Sequence, residues 1–222
     1  MPEWLDYVIT EYILIVPAII IGLSVHEFFH AFIAYKLGDY TAKEDGRLSL
    51  NPLRHIDIVG LIFLFLLKFG WAKPVSVNPM TFKNPKRGMM WTAMAGPLSN
   101  FAVAFISAGL YCGYVSAFGN TEFYGSVISE YIELLFVYII LVNIGLGLFN
   151  LIPLPPLDGS RILGGFVSDK TYISLIKAER YAPLFFVAII LLSYTPFDIL
   201  RPLSVLRVII LNGFMAFWGL IF

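Results

Sequence analysis

YILIVPAIIIGLSVHEFFHAFIAY, residues 12–35, is the stretch on which the reading of this chain turns. Its first half is an apolar run, and the whole stretch is near the roughly 20 residues that a bilayer-crossing helix requires. Its second half carries His26, Glu27 and His30 within the same run. An ionisable residue at membrane depth costs a few kcal/mol, so residues of this kind are functional candidates by default. The spacing H-E-x-x-H adds a physical reason. Helix positions four apart lie about 40° apart around the axis and one turn along it, so both imidazoles can reach one metal ion. Glu27 follows the first histidine, where its carboxylate can face a water on the metal and act as general base. Zinc is the usual occupant of such nitrogen-rich sites, with one coordination position left for water. The competing reading is a polar cluster that ties helices together.

Composition agrees with a membrane setting. Of 222 residues, 59% are hydrophobic and 14% are charged, with mean hydropathy +0.81; ordinary soluble domains carry about 25% charged residues. A soluble fold of this length cannot hide so much apolar surface. Lysine plus arginine equals aspartate plus glutamate at 15 each, and no basic stripe suggests nucleic acid. The single cysteine, Cys112, lies in an apolar stretch and reads as a packing residue. The start, MPEWLDYVITEY, lacks the positive charge of a secretory signal, so no cleavage is expected there.

Two further stretches are long enough to span, residues 88–118 and 131–152, and two weaker candidates follow at 182–194 and 206–222. Residues 58–69, bounded by Asp57 and Gly70, are too short to cross and read as a re-entrant or interfacial piece. Residues 36–87 hold nine Lys or Arg and 161–180 hold four, whereas 1–11 and 118–130 hold none. The positive-inside rule then places the N-terminus outside, 36–87 inside, 118–130 outside and 161–180 inside. If both weak segments cross, Arg201 and Arg207 fall on the outside. Residues 46–52 (GRLSLNP) alternate in polarity and suggest a short strand, while 71–79 (WAKPVSVNP) read as extended chain. The expected architecture is an all-α polytopic membrane protein. It has three core transmembrane helices, a short re-entrant or β-hairpin region and two C-terminal membrane segments. Residues 1–222 form one integral-membrane domain, with no room for an appended soluble one.

Two histidines need a third protein ligand. His55, in residues 51–57 (NPLRHID), is one option; Asp158, in 153–159 (PLPPLDG), is the better. Three prolines in four residues cannot continue a helix. Open backbone at membrane depth survives only where protein or a watery cavity surrounds it. The plain alternative for Asp158 is a helix cap. Asn143, the Gly145/Gly147 pair, Gly96-Pro97 and the Gly109–Gly113 spacing read as close helix packing. Lys83, Lys86 and Arg87 read as inner headgroup contacts.

HEFFHAFIAYKLGD, GRLSLNP, NPLRHID, GWAKPVSVNP, AGPLSN and NLIPLPPLDG occur in this order between residues 24 and 161. Together they resemble the site-2 protease family of intramembrane metalloproteases, in a minimal form without the PDZ or CBS domains of many members. The resemblance implies that His26, His30 and Asp158 hold zinc and that Glu27 is the catalytic glutamate. It implies a role close to the metal for Asn150, holding the substrate carbonyl or its oxyanion; a helix C-cap before Pro153 is the equal alternative. His55 and Asp57 match a family motif near the site and either orient substrate or form an interfacial structural pair. The expected activity is hydrolysis of peptide bonds in or near the transmembrane segments of membrane-anchored regulators, releasing an inward-facing domain. Residues 46–51 would offer an edge strand to an unwound substrate. The expected setting is the cell membrane of a prokaryote, with the lipid bilayer and transmembrane proteins as partners. A metal transporter would need a polar path across the membrane and repeated halves, and neither is visible. An inactive scaffold would not need Glu27.

Overall fold

The computed structural model describes residues 9–67, 70–193 and 201–222. Four of its helices are long and apolar enough to cross a membrane. The first, α1 (Ile15–Lys36), continues from a π-helical turn at Ile9–Leu14. Pro17 lies just after the junction between the π-helical turn and α1. Helix α1 ends at Leu37 and Gly38, whose φ of +101° only glycine adopts readily. A single-turn helix, α2 (Thr41–Glu44), follows.

The short apolar piece is α3 (Ile58–Leu67), ten residues and about 15 Å long. Asp57 caps it by accepting from the Gly60 N–H at 2.9 Å, and Gly60 lies against the backbone of Trp71, where a Cβ would meet the Trp71 carbonyl oxygen at 2.2 Å. Ile58, Val59, Ile62 and Phe63 are exposed on it.

The expected strand over 46–51 does not form, and the segment is irregular. Its polar groups turn inward on themselves: Ser49 Oγ accepts from Asn51 N, and Asn51 caps the 3₁₀ turn Pro52–Arg54. The neighbouring segment 71–79 is extended, as read from its prolines, but several of its backbone groups bond to side chains, which leaves 46–51 little to pair with. Among the described residues the one β pairing is an isolated antiparallel bridge, Ile56 to Ala72.

Helix α4 (Pro85–Phe118) starts at Asn84, whose side chain accepts from Arg87 N at 3.1 Å, with proline at its first position. Helix α5 (Val127–Asn150) is capped by Ser126. After the proline break come α6 (Asp158–Gly164), α7 (Asp169–Ala178) and α8 (Ala182–Ser193), then α9 (Arg201–Gly219). The described part of α8 is twelve residues and ends at Ser193, and α9 is long and apolar enough to cross. Tyr194, the end of the first weak candidate, lies outside the described residues. The second begins at Arg201 rather than at residue 206.

Helices α1, α4 and α5 pack mutually, with α6 and α9 against them. The contacts use small residues, as expected where lipid removes the hydrophobic drive between helices. Ala104 and Ala108 of α4 meet Ile140, Ile144 and Leu148 of α5. Gly109 lies under the Trp218 indole, whose Nε1–H donates to Phe105 O at 2.9 Å.

Candidate active site

His26 and His30 project from α1 with their ring centroids 4.5 Å apart and their planes nearly perpendicular. Their Nε2 atoms are 2.9 Å apart, and both are buried. Asp158, the first residue of α6, reaches both: its Oδ2 lies 3.1 Å from His26 Nε2 and 3.2 Å from His30 Nε2. The proline break makes this possible. The chain doubles back so tightly that a Cβ on residue 159 would lie 2.3 Å from Leu151 O and 2.4 Å from Ile152 O, so only glycine fits after the aspartate. His55, the other option for third ligand, is elsewhere. It is buried, and its Nε2 donates to Ser49 O at 2.7 Å.

Helix α4 fixes how the imidazoles present themselves. Thr92, Gly96 and Asn100 recur every fourth residue, which sets them on one face. His30 Nδ1–H donates to the Thr92 carbonyl at 2.7 Å. Asn100 uses its amide nitrogen on Gly22 O and Asn143 Oδ1, so its Oδ1 is left to accept from His26 Nδ1–H at 2.7 Å. Both histidines are thereby held in the tautomer whose Nε2 lone pair faces Asp158. Gly96 leaves the space they need, since a Cβ there would lie 2.5 Å from His30 Nε2 and 2.6 Å from His26 Cε1.

Two neutral imidazole nitrogens and one carboxylate oxygen are a zinc donor set. The fit rests on three observations. The three atoms form a nearly equilateral triangle whose edges approach the roughly 3.3 Å between ligand atoms of tetrahedral zinc. Asp158 Oδ2 is buried without a hydrogen-bond partner in the protein. Both imidazoles carry the outer hydrogen bond typical of metal-bound histidine.

Glu27 is outside the ligand cluster. Its Oε2 accepts from the Val75 N–H at 2.8 Å, in the extended segment. That segment's Val75 and Val77 line a cavity of about 250 Å³ with Met89, Arg161, Tyr172 and Glu179. Burial works against the Arg161 charge, but the Glu179 carboxylate, 3.1 Å from its Nε, holds the guanidinium above its ordinary pKa. Asn150 closes α5, with its amide nitrogen bonded to Leu146 O at 3.0 Å. Asp57 caps α3 and does not join the cluster.

The sequence reading missed Asn100 and Thr92. Asn100 sits in AGPLSN inside an apolar span, and that polar residue at depth was the available signal. Thr92 contributes a carbonyl, which no residue type announces. Asn143, read as a packing residue, is fully buried and holds Asn100.

Comparison with known proteins gives a consistent result. The model of peptidase family M50 matches residues 14–193. A Bacillus subtilis protein named "Putative zinc metalloprotease YwhC" is 38% identical over 88% of this chain and 87% of its own. "Putative zinc metalloprotease Rip2" of Mycolicibacterium smegmatis is 26% identical over 83% of this chain and 68% of its own. A zinc metalloprotease of Methanocaldococcus jannaschii is 28% identical over 68% of this chain, which there corresponds to 33% of the longer relative. No solved structure matches the chain.

Proposed function

Because the chain belongs to peptidase family M50, the site-2 protease family, and is an integral-membrane zinc metalloprotease, we propose that it hydrolyses peptide bonds in or near the transmembrane segments of membrane-anchored, regulatory proteins. One observation carries this reading. The buried His26–His30–Asp158 cluster is built on α1, with His26 about 16 Å along a helix about 33 Å long. A protease acting on soluble chains has no use for a centre at that depth.

His26, His30 and Asp158 hold the zinc, and Asn100 and Thr92 keep the imidazoles turned toward it. Bound zinc would supply Lewis acidity toward the scissile carbonyl and lower the pKa of water to roughly 7. Glu27 takes the proton of the attacking water and returns it to the leaving amine. Asn150 steadies the substrate carbonyl or its oxyanion, turning its amide from Leu146 O to do so. A substrate helix must unwind before attack, because its peptide groups are engaged in its own hydrogen bonds. The setting proposed is the cell membrane of a prokaryote.

The test is co-expression with single-span membrane proteins, with mass spectrometry to locate the cut. Cleavage inside or beside the apolar segment, abolished by Glu27→Gln, is expected. Cuts confined to soluble loops, or equal cleavage by the Glu27→Gln variant, would sink the reading.

A further inference from the structure

Residues 72–78 run as an extended strap past the base, and side chains hold its backbone at both ends. Lys73 N–H donates to His55 O at 2.8 Å. Arg47 Nη1 donates to the carbonyls of Lys73 (3.1 Å) and Pro74 (3.2 Å). Asp39 Oδ2 accepts from Asn78 N–H at 2.7 Å, while its other oxygen is held by Thr41. Asp39 is fully buried and Arg47 is 9% exposed. Burying such charges is costly unless their hydrogen bonds are made, so the strap and its two anchors fix one another. Between the anchors, Val75 N–H donates to Glu27 Oε2.

We propose that the Val75 main-chain amide is a positioning group for Glu27, and that Arg47 acts through it as a positioning residue for the general base. The proposal rests on the reading of Glu27 as that base. A glutamate side chain has three rotatable bonds, and proton transfer needs its carboxylate within hydrogen-bond reach of the attacking water. A charge-assisted bond from a fixed amide selects one rotamer, occupies Oε2 and leaves Oε1 to take the proton. Arg47 sets the amide's direction because it grips the two carbonyls immediately before it. Asp39 fixes the strap three residues beyond. The donor is backbone, so the residue type at 75 does not reveal it.

The experiment uses the full chain in detergent with, as probe, a fluorescein-labelled single-span membrane protein that the co-expression test has shown to be cut in or beside its apolar segment. It measures kcat, KM and zinc per chain. Arg47→Met removes the clamp at similar length, and Val75→Pro removes the N–H. Both are expected to lower kcat by about 10- to 100-fold, since a displacement near 1 Å can cost about 10²-fold, while KM and zinc content stay within about twofold. Arg47→Lys should recover part of the loss. Ser76→Pro, at an exposed neighbour, places a proline beside Val75 without touching its N–H and should stay within about threefold of the parent. If Val75→Pro does not fold, Arg47→Met and Arg47→Lys decide alone. Loss of zinc, a rise in KM at constant kcat, or an equal fall in Ser76→Pro overturns the proposal, because the strap then holds substrate or fold rather than the base. A rise in kcat also overturns it, because the strap would then restrain Glu27. Glu27→Gln is assayed alongside: full activity there defeats the base assignment itself, a separate outcome from unchanged kcat in Arg47→Met.

Discussion

At the scale of single residues, the centre divides into groups that would bind metal, one that would move a proton and those that aim the others. The division predicts separable phenotypes. Glu27→Gln keeps size and shape and should keep zinc, because Glu27 is outside the ligand triangle. Cleavage should fall by about 10²–10⁴-fold, the usual contribution of general-base catalysis. His26→Ala and Asp158→Ala should lose zinc and activity together, so zinc content measured beside turnover separates the roles. Asn100→Leu tests the outer layer. It deletes the acceptor at His26 Nδ1 and the donor to Asn143 Oδ1, so zinc affinity should drop by about 10–100-fold. Chelator competition reads that directly, and an unchanged affinity would mean that the tautomer is set by something other than Asn100. The histidine pair of the cluster was legible in the sequence because an i, i+4 pair in an apolar run has few innocent explanations, whereas Asp158 drew on the proline break and the family resemblance. Asn100 was not legible, because its meaning depends on which face of α4 meets α1. Thr92 was not either, because a carbonyl belongs to every residue.

At the scale of elements, the proline break after α5 determines whether the site exists. It must reverse the chain within a few residues and deliver Asp158 to α1. The tight approach at Gly159 makes a sharp prediction. Gly159→Ala would put a methyl group 2.3 Å from the Leu151 carbonyl oxygen, and backbone cannot yield there as a flexible side chain can. The reversal should open, with zinc per chain falling well below one and melting in detergent at a lower temperature. Normal zinc content in this variant would show that the turn can relax without moving Asp158. Gly96→Ala should also reduce zinc binding, but through the imidazoles, since its methyl group meets His30 Nε2 and His26 Cε1. Helix-level features were readable where apolar length set them, as in α1, α4 and α5. The alternation in 46–51 misled because period-2 patterning predicts a strand only when a partner offers free backbone groups. Here the partner's groups went to Arg47, Glu27 and Asp39. That exchange of strand pairing for side-chain anchoring is a tertiary choice, written in residues far apart in sequence.

At the scale of the whole molecule, the C-terminal helices bear on a tension between charge and topology. If both weak segments crossed, Arg201 and Arg207 would lie on the outside, against the rule that loops rich in lysine and arginine stay inside. The described part of helix α8, twelve residues ending at Ser193, covers about 18 Å of a core of about 30 Å. Helix α9 is long and apolar enough to cross. We predict that α1, α4, α5 and α9 are the crossings, which would place Arg201 at the start of α9 on the inner side with 161–180 and Leu220 outside with the N-terminus. Single cysteines at positions 43, 122 and 220 test this once Cys112 is replaced by serine. A membrane-impermeant maleimide added to intact cells should label 122 and 220, and should reach 43 only after permeabilisation. Labelling of 43 but not 122 would reverse the whole assignment. Labelling of 122 but not 220 would leave the first three crossings in place and show that the polypeptide from residue 182 onward crosses twice or not at all.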